Sequence, residues 1–123
     1  MALLESGEMY LESIHILSKA QPNIRSVDIS EYMGYSKPSV SRAMGILKKS
    51  GYITVDENGF ITLTQTGKQV AEKIFERHRV ISDLLIRLGV TPSVAADDAC
   101  RIEHAISDES FQAIKAHLEQ YAK

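Results

Sequence analysis

The feature that most constrains this chain is a pair of short helical patterns separated by a glycine and followed at once by two short strand patterns. Val27–Met33 predicts one short helix, and Gly34 follows it where a left-handed C-terminal residue is favoured. Ser36 predicts the N-cap of a second helix that ends near Lys49, with Pro38 in its first turn, where a missing N–H costs nothing. Two short helices joined in this way are typical of a helix-turn-helix.

A β-hairpin is predicted directly after the second helix. Tyr52–Val55 and Phe60–Leu63 are rich in β-branched and aromatic residues, and they flank Asn58-Gly59, a strong hairpin signal. An amphipathic pattern from about Ser6 to Ala20 predicts a further helix before the helix-turn-helix. This order predicts a winged helix. The hairpin alone is compatible with a plain structural ribbon, but its position favours a wing.

The rest of the chain predicts helices only. A long helix is expected from about Gly67 to Leu88, a second from Thr91 to about Ser107, and a third from Asp108. These helices carry more apolar positions than a small domain needs to cover itself, which favours a helical dimer interface. We therefore expect a mainly α chain with a small β-hairpin: a winged helix-turn-helix DNA-binding domain over residues 1–66, then an all-helical dimerisation domain over residues 67–123.

Composition sets the environment and the class of partner. The longest apolar runs fall well short of the roughly 18 residues that a membrane span needs, so no membrane partner is expected. A single cysteine fits a reducing cytoplasm. The net charge of −2 does not indicate a nucleic-acid binder, but Ser36–Lys49 contains four basic residues and no acidic one. Charge alone leaves phosphate binding and a solvated basic face both open.

The second helix of the motif is the expected reader of DNA. In a helix-turn-helix its first turns reach base edges in the major groove. Arg42 has the geometry for a bidentate contact with guanine, whereas Pro38 suits a thymine methyl group. A winged helix used for protein contacts is the alternative, and the basic run favours DNA. The predicted DNA-binding residues are Ser36, Lys37, Pro38, Ser39, Ser41 and Arg42.

Three potential metal ligands share one face of the penultimate helix. Cys100, Glu103 and His104 stand at i, i+3 and i+4, which places a thiol, a carboxylate and an imidazole within about one turn. Such groups bind divalent transition metals. A buried packing cysteine beside a surface Glu–His pair is the alternative.

Other candidate ligands lie elsewhere in the sequence. Met9 and Glu12 are at i, i+3 on the first helix, and His78 lies in the middle of the long helix. Each has a plain alternative: core packing for Met9, a solvated charge for Glu12 and a surface position for His78. His15 and His117 belong to no second recognisable set.

Several segments together resemble a known family. Glu8–Leu11, Ser36–Ser41 and Asp98–His104 are similar to segments of the metal-dependent repressors of the diphtheria toxin repressor and manganese transport regulator type. Arg77–Arg79 resembles that family's histidine on the helix that links its two domains. The resemblance covers nearly the whole chain, and the segment around Cys100 is its most specific part.

The resemblance implies a homodimeric, metal-activated repressor that binds operator DNA and controls metal uptake or homeostasis genes. It implies a primary site of Met9, Cys100, Glu103 and His104, as in the iron branch. Glu12 matches a carboxylate ligand of the manganese branch, and His78 matches a ligand position in both. It also implies a short form without the small β-barrel domain of longer members.

Two departures bear on the metal. The iron branch has a further carboxylate and a second histidine at an ancillary site, where this chain has Ser82 and Ala96. That site is therefore absent, or rebuilt with Glu12 and His78 as a second ion site. Thioether and thiolate ligands favour Fe(II), with Co(II) or Ni(II) as surrogates, whereas Glu12 keeps Mn(II) open.

The sequence positions of the ligands predict a mechanism. Met9 and Glu12 belong to the DNA-binding half and the other candidate ligands to the dimerisation half, so one ion is expected to tie the halves together and fix the spacing of two recognition helices at about 34 Å. A winged-helix regulator without metal dependence is one alternative. An enzyme with a catalytic metal is another, but nothing in the sequence resembles a site for a small-molecule substrate, so no enzyme is expected.

Overall fold

The computed structural model describes residues 5–121. These residues form helices and one antiparallel hairpin, with bounds α1 (Glu5–Ala20), α2 (Ser26–Met33), α3 (Lys37–Lys49), β1 (Ile53–Val55), β2 (Ile61–Leu63), α4 (Gln65–Arg87), α5 (Pro92–Ala105) and α6 (Asp108–Tyr121). The prediction of a mainly α chain with a small hairpin is confirmed.

The chain forms two compact units that divide within α4, between Glu72 and Lys73. The first unit holds the helix-turn-helix and the hairpin, and the second holds most of α4 with α5 and α6. The functional boundary that the sequence places after residue 66 stays a prediction. Among the helices of residues 5–121, none has the length and apolar character that crossing a bilayer requires.

The first unit is built around one apolar cluster. Helix α1 contributes Tyr10, Leu11 and Ile14, which lie at the helical spacing that places them on one face. The other buried members come from α2, α3, the hairpin, α4 and the connection between α1 and α2: Ile24, Ile29, Val40, Met44, Leu47, Ile53, Ile61 and Ala71. Every element of this unit therefore supplies side chains to the core.

The turn between α2 and α3 follows the local chemistry that the sequence predicts. Gly34 has φ +73° and its N–H donates to Ser30 O at 2.9 Å, closing the end of α2. The Ser30 hydroxyl donates to Tyr35 O at 2.6 Å. Ser36 is the N-cap of α3 and its Oγ accepts from Ser39 N at 3.3 Å. The predicted cap, turn and helix start are confirmed.

The hairpin forms where it was predicted, and its connection is longer than a two-residue turn. Strands β1 and β2 pair with Val55 opposite Ile61. A two-residue type I′ turn requires a positive φ at both of its central residues. Gly59 has φ +81°, but among the described residues only glycines have a positive φ, so Asn58 does not meet this requirement. The longer loop is held by Asp56, whose Oδ1 accepts from the N–H groups of Asn58 and Phe60, both at 2.9 Å.

Helix α4 begins at Gln65, two residues before the predicted start at Gly67. The reason is a cap: Thr64 Oγ1 accepts from Gly67 N at 3.1 Å, and Thr64 N donates to Tyr52 O at 3.0 Å. A Cβ atom at Gly67 would lie 2.0 Å from Tyr52 O. Only glycine lets the first turn of α4 lie this close to Tyr52, the residue before β1.

In the second unit, the buried apolar residues are Ile74, Ile81, Ala95, Ala99, Phe111 and Leu118. Helix α4 ends at Arg87, and Gly89 with φ +102° follows. Helix α5 ends at Ala105, two residues before the predicted end near Ser107, because Ile106 is already extended.

The start of α6 carries an ion pair with two cations. Asp108 accepts from Lys73 Nζ at 3.1 Å and from Arg77 Nη2. These hydrogen bonds, from Lys73 first and from Arg77 second, lower the pKa of Asp108 below its ordinary value. The ionised form of Asp108 therefore stabilises the folded chain more than the protonated form does.

We expect Gly67→Ala to destabilise the apo protein by about 1–3 kcal/mol, because the added methyl group overlaps backbone atoms. Urea denaturation monitored by circular dichroism measures this change. Gly45→Ala in α3 is the matched control: it meets no atom within 4 Å and is expected to stabilise by up to about 1 kcal/mol. Equal stability of Gly67→Ala and the wild type would contradict the close approach.

The Asp108 ion pair predicts a pH dependence of stability. Because the folded pKa lies below the unfolded one, the stabilisation is present at neutral pH and is lost as pH falls below about 4. Asp108→Asn is thus expected to be less stable than the wild type at pH 7 and to approach it in acid. Urea unfolding across this pH range tests the difference. Asp97→Asn, at an exposed position of α5, should track the wild type throughout.

Candidate metal centre and DNA-binding surface

The second unit brings three of the predicted ligands together. His78 lies in the middle of α4, and Glu103 and His104 lie in the last turn of α5. His78 Nδ1 lies 2.9 Å from Glu103 Oε2, and His104 Nε2 lies 3.3 Å from Glu103 Oε1. The carboxylate thus has an imidazole nitrogen beside each of its oxygens.

Glu103 is the most unusual side chain of this set, because it carries an ionisable carboxyl group and its exposed fraction is 0%. The His104 side chain is equally enclosed, whereas His78 is 32% exposed. Within residues 5–121, Glu103 Oε1 makes no hydrogen bond. A buried carboxylate oxygen without a donor is costly unless a positive charge or a metal ion compensates it.

A divalent cation fits this arrangement. The enclosed Glu103 carboxylate and the adjacent His104 imidazole are donors that transition metals accept, and a cation would offset the buried negative charge. Helix α5 contributes to this fit, since its last turn carries the consecutive candidate ligands Glu103 and His104.

The other three predicted ligands are Met9 and Glu12 on α1 and Cys100 on α5. Cys100 is exposed on α5, although it is only three residues from the enclosed Glu103. Met9 and Glu12 are half-buried on α1, in the first unit. Their predicted role as ligands stays a prediction. At the position that matches the ancillary carboxylate, Ser82 Oγ is buried and makes no hydrogen bond within the described part of the chain.

The two histidines set aside from the sequence have other surroundings. His15 is buried in α1, and its burial, reinforced by the nearby charge of Lys19, lowers its pKa. His117 packs its ring against Tyr121, with centroids 4.6 Å apart.

Arg77 is a residue of this region that the sequence reasoning did not single out. It is buried, and its Nη1 donates to Glu103 O at 3.1 Å and to Ile106 O at 2.9 Å. A signal was available, because Arg77 stands at core spacing between Ile74 and Ile81 on the apolar side of α4. An arginine at such a position needs buried partners.

Helix α3, the second helix of the helix-turn-helix, exposes its predicted DNA-binding residues to solvent. Val40, Met44 and Leu47 form the buried side of α3. Arg42 is exposed, and its Nη2 donates to Ser39 Oγ at 3.4 Å, which directs the guanidinium toward the start of the helix. The exposed predicted residues are Ser36, Lys37, Pro38, Ser41 and Arg42, with Ser39 half-exposed.

Tyr35 is a second residue that the sequence reasoning missed. It lies in the turn before α3, is 44% exposed, and packs edge-on against the buried Tyr10 with ring centroids 6.0 Å apart. The Tyr10 pKa is raised, chiefly by burial. An exposed aromatic ring beside the N-cap of a recognition helix is available for contacts with a sugar-phosphate backbone.

Comparison with known proteins identifies relatives over most of the chain. The chain is 30% identical over 119 residues to an uncharacterized HTH-type transcriptional regulator of Methanocaldococcus jannaschii, covering 95% of each. It is 32% identical over 112 residues to the transcriptional regulator MntR of Salmonella typhimurium, covering 91% of this chain and 71% of that protein.

A solved structure of a manganese-dependent transcriptional repressor in complex with manganese superposes with a TM-score of 0.83 at 28% identity. The match covers 92% of this chain and 52% of that one, so the chain spans about half of its length.

Two family models divide the chain between them. Residues 2–59 match the N-terminal DNA-binding domain of the iron-dependent repressors, and residues 64–123 match their metal-binding and dimerisation domain. The chain therefore belongs to the family of iron-dependent repressors, the metal-dependent transcriptional regulators of the diphtheria toxin repressor and MntR type, which are not enzymes.

Proposed function

We propose that this chain is a repressor that binds operator DNA as a homodimer when it holds Fe(II), and that it controls genes of metal uptake or homeostasis. The observation that carries this proposal is the Glu103 carboxylate, fully enclosed with one oxygen lacking a hydrogen-bond donor within residues 5–121 and flanked by His78 and His104. In a family of metal-dependent regulators, such a group is the natural receptor for the activating ion.

The proposed ligands come from both compact units. Glu103 and His104 would hold the ion together with Met9 and Cys100, while Glu12 and His78 would complete this site or form a second one. When bound, a divalent cation supplies positive charge that neutralises the carboxylates and joins side chains that are distant in sequence. The half-buried positions of Met9 and Glu12 on one face of α1 support their inclusion.

The chain's own charges account for the switch. Without the ion, the carboxylates of Glu12 and Glu103, and any thiolate at Cys100, repel one another and weaken the coupling of the DNA-binding domain to the dimerisation domain. With that repulsion removed, the two recognition helices of a dimer are held at a spacing that suits successive major grooves. Metal and DNA then strengthen each other's binding by the same factor.

Two observations bear on which metal is sensed. The soft donors Met9 and Cys100 favour Fe(II). The exposure of Cys100 and the carboxylates of Glu12 and Glu103 keep Mn(II) as the second candidate, because Mn(II) prefers hard oxygen ligands. We propose Fe(II) because thioether and thiolate ligands do not favour the binding of Mn(II).

Sequence-specific recognition is proposed for the exposed side of α3. Arg42 would read a guanine, Pro38 would contact a thymine methyl group, and Ser36, Lys37, Ser39 and Ser41 would contact phosphates or bases without strong discrimination. The Oγ of Ser39 orients Arg42 through its hydrogen bond. The four basic residues of this segment provide the electrostatic attraction.

We expect Fe(II) to raise operator affinity at least tenfold, and Glu103→Gln to abolish that gain, because the amide keeps the shape but loses the charge that attracts the ion. Anaerobic fluorescence anisotropy with a labelled operator measures both affinities. Asp97→Gln, an exposed change on the same helix, should leave the gain intact.

The same titrations with Mn(II) decide between the two metals. Activation at lower free Fe(II) than free Mn(II), with loss of this preference in Cys100→Glu, supports the iron proposal. Preference for Mn(II) in the wild type would replace iron by manganese. Equal operator affinity with and without either metal would remove metal activation altogether.

We expect Arg42→Ala to lower operator affinity by about 1–3 kcal/mol and to relax selectivity at one base pair, as loss of a bidentate guanine contact does. Binding to a set of single-base operator variants measures this. Lys49→Ala, at the end of the same helix, should instead weaken all sequences alike and reduce the salt dependence by about one phosphate contact. An unchanged base preference in Arg42→Ala would exclude base reading by this side chain.

A further inference from the structure

Two consecutive residues of α4 hold Glu103 by different atoms. His78 Nδ1 lies 2.9 Å from the Glu103 carboxylate, and Arg77 Nη1 donates to the Glu103 backbone carbonyl at 3.1 Å. The side chain and the backbone of this proposed ligand are therefore both fixed from the same helix.

The Arg77 guanidinium also holds the segment that follows Glu103. Its Nη1 donates to Ile106 O at 2.9 Å, and its Nη2 donates to Asp108 at the start of α6. The guanidinium carbon lies 5.5 Å from the centroid of the Phe111 ring, which encloses it on one side. One side chain thus anchors the end of α5, the connection and the first turn of α6.

These contacts provide a hydrogen-bond donor for a carbonyl group at the end of α5. The last carbonyls of a helix have no partner within the helix, and here one of them, Glu103 O, is buried. Arg77 satisfies the Glu103 carbonyl with a cationic donor, which also suits the negative end of the helix dipole. Without it, the last turn of α5 would be free to fray, and this turn carries Glu103 and His104.

We propose that Arg77 is a positioning residue of the metal centre: it does not touch the ion, but it fixes the last turn of α5 so that the Glu103 carboxylate is set for metal binding. This inference rests on the proposed function, since it assumes that Glu103 is a ligand. It predicts that metal affinity and coordination geometry depend on a residue that has no contact with the ion.

Lysine cannot replace this arginine. The guanidinium is a planar fork whose separate nitrogens reach the two carbonyls and the carboxylate in fixed directions. A lysine at position 77 keeps the positive charge near Asp108 but has one nitrogen for all three acceptors. Arg77→Lys therefore separates the positioning of Glu103 from the charge of the side chain.

The test uses the full chain and Co(II), whose visible absorption reports coordination geometry. We compare the wild type, Arg77→Lys and Lys73→Met. Lys73 also pairs with Asp108, at 3.0 Å, but it donates to neither carbonyl. Lys73→Met therefore removes one cation from Asp108 and leaves the Arg77 contacts in place, whereas Asp108→Asn removes the anchor of Arg77 Nη2. Anaerobic titration gives the Co(II) affinity, and the spectrum at saturation gives the geometry.

We expect Arg77→Lys to bind Co(II) about tenfold to a hundredfold more weakly and with a shifted visible spectrum, as loss of an outer-shell partner does. Lys73→Met should keep the wild-type spectrum and affinity. A merely structural role would change the unfolding midpoint but not the spectrum of the saturated protein. Unchanged affinity and spectrum in folded Arg77→Lys would overturn the proposal.

Two further outcomes are a variant that does not fold and a wild type that does not bind Co(II). If Arg77→Lys does not fold, Asp108→Asn takes its place: a weaker affinity with a shifted spectrum supports the proposal, and wild-type values overturn it. If the wild type itself binds no Co(II), the metal-binding function fails and this inference falls with it. Binding by the wild type with no effect of Arg77→Lys removes the positioning role only.

Discussion

The burial of the Glu103 carboxylate is the constraint on which the second unit depends. A charged group with no exposed surface is tolerated only where opposite charge or hydrogen-bond donors compensate it. The structure provides this compensation in part, through His78, and leaves Oε1 without a hydrogen bond in the described part of the chain. Replacing such a group by leucine would favour the apo fold, so its presence is better explained by a ligand than by stability.

Helix α4 prepares this site without contributing an acidic ligand. It supplies His78 to the carboxylate and Arg77 to the end of α5 from adjacent positions, about 100° apart around the helix. Closing the site therefore requires the correct rotation of α4, which the buried residues Ile74 and Ile81 secure by packing one turn on either side. The apolar packing of α4 therefore sets the direction of the Arg77 and His78 side chains.

The sequence predicts the parts of this protein that depend on local chemistry. Ser36, Pro38 and Gly34 act on backbone groups within a few residues of themselves, so the helix-turn-helix could be placed closely. The start of α4 could not, because Thr64 caps it while bonding to Gly51, 13 residues away. The role of Arg77 depends on acceptors 26 to 31 residues away. The i, i+3 spacing of Cys100 and Glu103 does not reveal that one is exposed and the other enclosed, since the packing of other helices decides that.

The charge of the DNA-binding unit explains why dimer geometry would matter so much to this repressor. The wing, residues 53–63, contains Asp56 and Glu57 and no lysine or arginine, so it offers phosphates no cation of its own. Four of the seven basic residues in the first unit lie in α3, so attraction to DNA would fall mainly to this helix, and affinity rises steeply with the number of phosphates contacted. One copy with few such contacts binds weakly, whereas two copies held at the groove spacing add their contacts. In the proposed homodimer, a weakly binding monomer would make operator affinity sensitive to anything that fixes that spacing, and the proposed binding of a metal ion at the buried Glu103 carboxylate would act in this way.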